Sequence, residues 1–178
     1  MAKFNAGIPM ELKDIFSAAD TGDLDRIRQL VEERADVNVK NAAGWTPLLY
    51  AANGGHGNEN PYLEIARLLI EAGADINVQE RTGWTPLHRA AHNKHPEMIK
   101  LLLENDASLT LRDSNGHTPE QFAEDAGRSD MAQILRDYPG EIVEMRALRE
   151  KLFREYVENS TVLQQDTPCM KPLRLKLR

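Results

Sequence analysis

Five histidines, one cysteine and 28 acidic side chains are the groups in this 178-residue chain that could hold a metal, move a proton or attack a carbonyl. His88 and His92 stand four apart, so both can project from one side of a helix, a spacing that zinc sites use. His56 and His95 fall at or near turns. No His-Glu-x-x-His run and no cysteine pair accompanies them. The further ligands a zinc site needs are therefore missing from the pattern, and no metal is expected. Cys169 has no histidine near it in sequence to activate it as a nucleophile. Gly54-Gly55-His56-Gly57 lacks the lysine and the strand-to-helix setting of a phosphate loop. Carboxylates are scattered along helix exteriors, where they solvate a surface. The chain is expected to be no enzyme, without catalytic residues or cofactor.

The same residues bound the setting. A single cysteine excludes an internal disulfide framework and points to a reducing compartment. Cytoplasm is the expected location, with the nucleus as the alternative. Met1-Ala2-Lys3-Phe4 does not open an apolar secretory signal, and no apolar run approaches the ~18 residues of a membrane helix. The formal charge of −6 argues against a nucleic-acid surface formed by the whole molecule, and no nucleic-acid or membrane partner is expected. That charge is uneven. Residues 1–138 carry 14 Lys/Arg against 22 Asp/Glu, and residues 139–178 carry 8 against 6. The body is acidic and the end is basic.

The elements that position these groups repeat. Gly44-Trp45-Thr46-Pro47-Leu48 returns as Gly83-Trp84-Thr85-Pro86-Leu87 and more loosely as Gly116-His117-Thr118-Pro119. Each is followed by an apolar helical pattern, Ile65, Leu68, Leu69 and Ile70, then Ile99, Leu101, Leu102 and Leu103. Gly73-Ala74-Asp75-Ile76-Asn77 comes next, echoed at Asp106-Ala107-Ser108-Leu109-Thr110 and anticipated at Ala35-Asp36-Val37-Asn38. Aligning these marks leaves six surplus residues in the first repeat, Gly57-Asn58-Glu59-Asn60-Pro61-Tyr62. Both a contact loop and a neutral insertion fit them.

A period of 33 residues with Thr85-Pro86-Leu87-His88-Arg89-Ala90 resembles the ankyrin repeat family, over roughly residues 11–138. The resemblance implies an all-α ankyrin-repeat solenoid of helix-turn-helix units joined by β-hairpin-like turns. The expected organisation is an N-terminal cap over 11–43, repeats over 44–82 and 83–115, and a C-terminal cap over 116–138. The residues supply a reason for each step. Thr46, Thr85 and Thr118 suit an N-cap, and the prolines after them suit the first helical position. Ala51-Ala52 and Ala90-Ala91 let neighbouring helices approach. Gly73 is placed to end a helix in the left-handed conformation. No such unit buries its apolar face alone, so stacking must make the core and the terminal units must be modified. Residues 11–36 lack Thr-Pro-Leu, and Thr118-Pro119 is followed by Glu120 and Gln121.

Beyond the array, Ile142, Met145, Leu148, Leu152, Phe153 and Tyr156 share one helical face, so 139–159 is expected to be an amphipathic helix. It either closes the solenoid of a monomer or pairs two chains. Residues 160–178 have no helical period and are expected to be a flexible basic tail. Lys171, Leu173, Leu175 and Leu177 alternate with basic residues at period two, a pattern that could add to a partner's sheet edge or resemble a kinase-docking peptide.

The resemblance also implies a binding surface. Trp45 and Trp84 hold one repeat position, which in ankyrin repeats faces the concave surface near the hairpins. The family's variable contact positions fall on Lys40, Ala42, Ala43, Asn53 and Gly54, on Gln79, Arg81, Thr82, His92 and Asn93, and on Arg112, Ser114 and Asn115. Tyr50 and Arg89 lie on the same short helices. Protein binding through Trp45, Trp84, Tyr50, Asn53, Arg81, Arg89, His92 and Arg112 is the expected function, with ordinary solvated surface, or indoles resting on their own repeats, as the alternative. A two-partner adaptor using the tail is the second reading. The family's signature histidine is His88, which typically ties adjacent repeats by hydrogen bonds.

Overall fold

The computed structural model describes residues 10–54, 61–138 and 151–152. The chain divides into two compact units, residues 1–139 and 140–178. Of the second unit only Lys151 and Leu152 are described, and both are helical and exposed. Most of the expected helix over 139–159, the whole tail over 160–178, and His56 with residues 57–60 of the insertion lie outside the described residues.

In the first unit the helices come in pairs. They are α1 (Met10–Thr21), α2 (Leu24–Glu32), α3 (Pro47–Asn53), α4 (Pro61–Glu71), α5 (Pro86–His92), α6 (Pro96–Glu104), α7 (Pro119–Asp125) and α8 (129–138). The first helix of each pair packs on the first of the next, α1 on α3, α3 on α5 and α5 on α7. The second helices α2, α4 and α6 form a parallel outer row. Ile15, Ile27, Leu30, Leu48, Leu49, Ile65, Leu69, Leu87, Met98, Ile99, Leu102 and Leu135 are buried between the rows. Ala51, Ala52, Ala90 and Ala91 are buried completely, and their size lets the inner helices sit close. No strand occurs among the described residues.

The inner helices α3, α5 and α7 begin as their sequence dictates. Thr46, Thr85 and Thr118 are in extended backbone, and each hydroxyl accepts from the amide three residues on. Proline follows each of them. In α5 and α7 the third helical residue reaches back to the threonine amide, completing a capping box with His88 and Gln121. α3 has Leu49 there and lacks the return bond.

Before α3, α5 and α7 the chain folds into a tight hairpin. The amide of Asn41 donates to the carbonyl of Trp45, that of Glu80 to Trp84 and that of Asp113 to His117, at 2.9–3.1 Å. Successive hairpins are bonded to one another, Arg81 N–H to Ala43 O at 3.2 Å and Ser114 N–H to Thr82 O at 2.9 Å. Gly83 must be glycine twice over. Its φ is +79°, and a Cβ there would lie 2.9 Å from Asp113 Cα in the next hairpin.

Asparagines add a second rung between repeats. Asn38 accepts from the amide of Asp75 at 2.7 Å and donates to Gly73 O at 2.9 Å. Asn77 repeats this with the Ser108 amide at 2.7 Å and Asp106 O at 3.3 Å.

Of the surplus residues, Pro61 and Tyr62 belong to α4. The Tyr62 ring lies over Gly54 and Gly22, where a side chain on either glycine would strike it, and its hydroxyl donates to Asp20 O at 3.0 Å. This end of the insertion therefore seals the first repeat to the N-terminal helix pair.

Candidate functional site

The repeat register places Tyr50, Arg89 and Phe122 at one position, five residues after Trp45, Trp84 and His117 respectively. All project from the inner helices beside the hairpins, and they interleave with the tryptophans. Tyr50 packs on Trp45 with ring centroids 4.9 Å apart, and on Phe16 at 6.0 Å. The Arg89 guanidinium carbon lies 4.3 Å from the centroid of Trp45 and 4.3 Å from that of Trp84. Phe122 meets the other side of Trp84 edge-on at 4.6 Å. A single strip runs Phe16, Tyr50, Trp45, Arg89, Trp84, Phe122 across four helix pairs. Trp45 and Trp84 are half-buried.

Arg89 is held by ring faces more than by hydrogen bonds. Its Nε is buried with no acceptor among the described residues. Its nearest acid is Glu80, at 3.8 Å. Glu80 is itself committed to the hairpin, accepting from the Thr82 hydroxyl and from the Trp84 amide at 3.3 Å. Asn41 and Asp113 do the same work in the other two hairpins. Burial lowers the pKa of Arg89, opposed by the charge of Glu80.

His92 packs on Trp84 at 5.2 Å and on Phe122 at 5.7 Å. Its Nδ1 accepts from Arg128 Nη1 at 2.8 Å. Burial lowers its pKa, and the positive charges of Arg128 and Arg89 lower it further. His88 is fully buried. Its Nδ1 accepts from the Thr85 amide at 3.2 Å, which leaves the proton on Nε2 to donate to His117 O at 3.1 Å in the next hairpin. The two bonds fix a neutral ring, and burial pulls its pKa below the ordinary value. His88 thus ties adjacent repeats as the resemblance implies. Burial pushes the Asp113 carboxyl up, but the amides of His117 and Asn115 and the nearby histidines outweigh this and leave its pKa low.

Of the eight expected contact residues, Trp45, Trp84, Tyr50, Arg89 and His92 converge in the strip. Burial raises the Tyr50 pKa, the Asp20 charge adds to this, and the hydrogen bond from Asn41 at 3.0 Å opposes it. Asn53 is apart, accepting from Asn93 Nδ2 through both its carbonyl and its side chain, at 2.9 and 3.2 Å. Arg81 and Arg112 are exposed on the hairpins. Arg112 folds onto Gly116 O at 2.6 Å and Gln121 Oε1 at 3.0 Å. Phe122, Phe16, Glu80 and Arg128 were not among the expected contacts. Phe122 was findable by counting three residues on from Pro119, as Tyr50 follows Pro47 and Arg89 follows Pro86. Among the described residues no three His, Cys, Asp or Glu side chains gather as a metal site, and no helix is long and apolar enough to cross a membrane.

A helix-pair array with bonded hairpins and this inner face defines a class. The profile for ankyrin repeats in three copies matches residues 57–146, and that for ankyrin repeats in many copies matches residues 15–58. The chain belongs to the ankyrin repeat family, and its helices form an ankyrin solenoid. Among curated proteins it is similar to the human ankyrin repeat and SAM domain-containing protein 3, 43% identical over 44 residues. That stretch is 24% of this chain and 7% of the human protein, so this chain spans only a small part of that relative's length. Ankyrin repeats are general protein–protein interaction modules.

Proposed function

We propose that this chain is a non-catalytic protein-interaction module that binds a protein partner through its inner helices and hairpin tips. Trp45, Trp84, Tyr50 and Arg89 form the centre of the surface, with Asn53, Arg81, His92 and Arg112 around it. The supporting observation is the strip itself, a partly exposed run of Tyr50, Trp45, Arg89, Trp84 and Phe122 with Phe16 buried at one end. Tryptophan, tyrosine and arginine are the side chains that carry most binding energy at protein interfaces. Their packing on one another lowers the side-chain entropy lost on binding. A reducing, intracellular compartment fits the single cysteine.

Quantitative affinity capture from cells that express the chain tests this. The baits are wild type, the inner-face variant Trp45→Phe/Trp84→Phe/Arg81→Ala, and the outer-row variant Arg67→Ala/Lys100→Ala. Phenylalanine keeps a ring on each side of Arg89, and circular dichroism checks the fold. Partners lost with the inner-face variant and kept by the outer-row variant are expected. Retention of every partner by the inner-face variant would overturn the reading. The charge contrast between residues 1–138 and 139–178 favours a second reading, in which Lys171, Leu173, Leu175 and Leu177 dock a second partner. Truncation after Asn159 then removes a separate subset of captured proteins, and a truncated chain that keeps them all rejects it.

A further inference from the structure

We propose that the inner face takes an acidic segment of a partner protein, its carboxylates lying along Lys40, Arg81, Arg112 and Arg128, which border the aromatic strip. The proposal rests on the inner face being the binding surface and adds the chemistry of what binds. Residues 1–138 have an excess of eight acidic charges, yet this border is cationic. Lys40, Arg81 and Arg112 are exposed on three successive bonded hairpins. The acids of those hairpins, Glu80 and Asp113, are buried at 7% and 6% exposure and are spent on their own backbones.

Of the described cations elsewhere, Arg28, Arg34 and Lys94 also form no ion pair among the described residues, while four others do. Arg26, Arg67, Lys100 and Arg136 each reach a carboxylate within 4 Å. None of the four border cations forms an ion pair among the described residues. Arg112 and Arg128 are bonded to neutral acceptors, a carbonyl, an amide and the His92 ring. Burial lowers the pKa of His92, and the charges of Arg128 and Arg89 beside it act in the same direction. Acids also lie by the strip, since the charge of Asp20 acts on Tyr50 and Asp125 faces His117 at 3.4 Å. A carboxylate meets arginine forks in paired hydrogen bonds, and the rings beneath supply apolar contact.

Panning a random dodecapeptide phage library on the full chain tests the proposal. The selected pool should be enriched in Asp and Glu over the input. A synthetic peptide of the leading sequence should lose affinity about tenfold on Arg81→Glu/Arg112→Glu, and should weaken as NaCl rises. Both residues are exposed, and circular dichroism confirms the fold of the variant. Peptides without acidic bias that are still lost on Trp45→Phe/Trp84→Phe overturn the acidic partner and keep the face. Peptides indifferent to both variants overturn both readings. Failure to enrich any peptide overturns the acidic segment and leaves the face to the capture experiment. Equal binding of a single-stranded RNA dodecamer also overturns it, in favour of a general polyanion surface.

Discussion

Replacing Arg89 by leucine removes the cation between Trp45 and Trp84 while leaving an apolar side chain against both rings. The cost can be worked from the geometry. Each ring face lies 4.3 Å from the guanidinium carbon, and the arginine side chain is 18% exposed. A cation–π contact contributes about 0.5–1 kcal/mol when exposed and about 2 when desolvated, so ~1 per face is reasonable here. The Glu80 side chain, 4% exposed, also loses its ion-pair partner, and a buried carboxylate left short of partners costs about 1 kcal/mol more. The expected loss is about 3 kcal/mol. Urea unfolding of wild type and variant, followed by circular dichroism and tryptophan fluorescence, measures it as a shift in midpoint at constant slope. Arg89→Lys keeps the charge but not the plane that serves two faces, and should lose roughly half as much. Arg81→Leu, on an exposed hairpin, should stay within about 0.5 kcal/mol. If Arg89→Leu also stays within about 0.5 kcal/mol, the strip is not held together by its cation and the reasoning fails.

Two further outcomes follow from the inter-repeat bonds. His88 has a folded-state pKa below its unfolded value, so both states are neutral above about pH 6.5 and stability is full there. As pH falls, the unfolded chain takes the proton first, and stability drops by up to about 1.4 kcal/mol per pH unit until the lowered folded value is reached. His88→Gln, which keeps the capping box as Gln121 does, should flatten that part of the urea-midpoint profile between pH 7.5 and 5, and an unchanged slope would remove His88 as the cause. Gly83→Ala should cost about 2–4 kcal/mol, from left-handed strain plus a clash with Asp113 Cα at 2.9 Å. Gly116→Ala, with a φ of +86° but nothing within 4 Å of a Cβ, should cost only the strain, about 1–2 kcal/mol, and equal losses would deny the hairpin contact.

What the sequence made legible is what each repeat decides locally. Thr46, Thr85 and Thr118 cap, the prolines follow, and the alanine pairs are buried, because each depends on neighbours a few residues away. Repeat position alone points to the eight contact residues, and five of them meet. The filling of the space between Trp45 and Trp84 was not legible. Arg89 reaches Trp45 across 44 positions, and only the stagger between stacked repeats decides which ring a helix residue meets. The asparagine rungs at Asn38 and Asn77 also depend on that stagger. The Tyr62 seal was hidden for another reason. Pro61 and Tyr62 align with nothing in the other repeats, yet they lengthen α4 by joining its first turn.

A partner seated on the inner helices and hairpins would shield their amides from solvent. Hydrogen–deuterium exchange of the chain alone and with a captured partner tests it most directly. The expected protection falls on residues 40–54, 79–93 and 112–125, the hairpins and α3, α5 and α7, with α2, α4 and α6 unchanged. Protection confined to α2, α4 and α6, with the Trp45–Arg89–Trp84 strip exchanging as in the free chain, would contradict it.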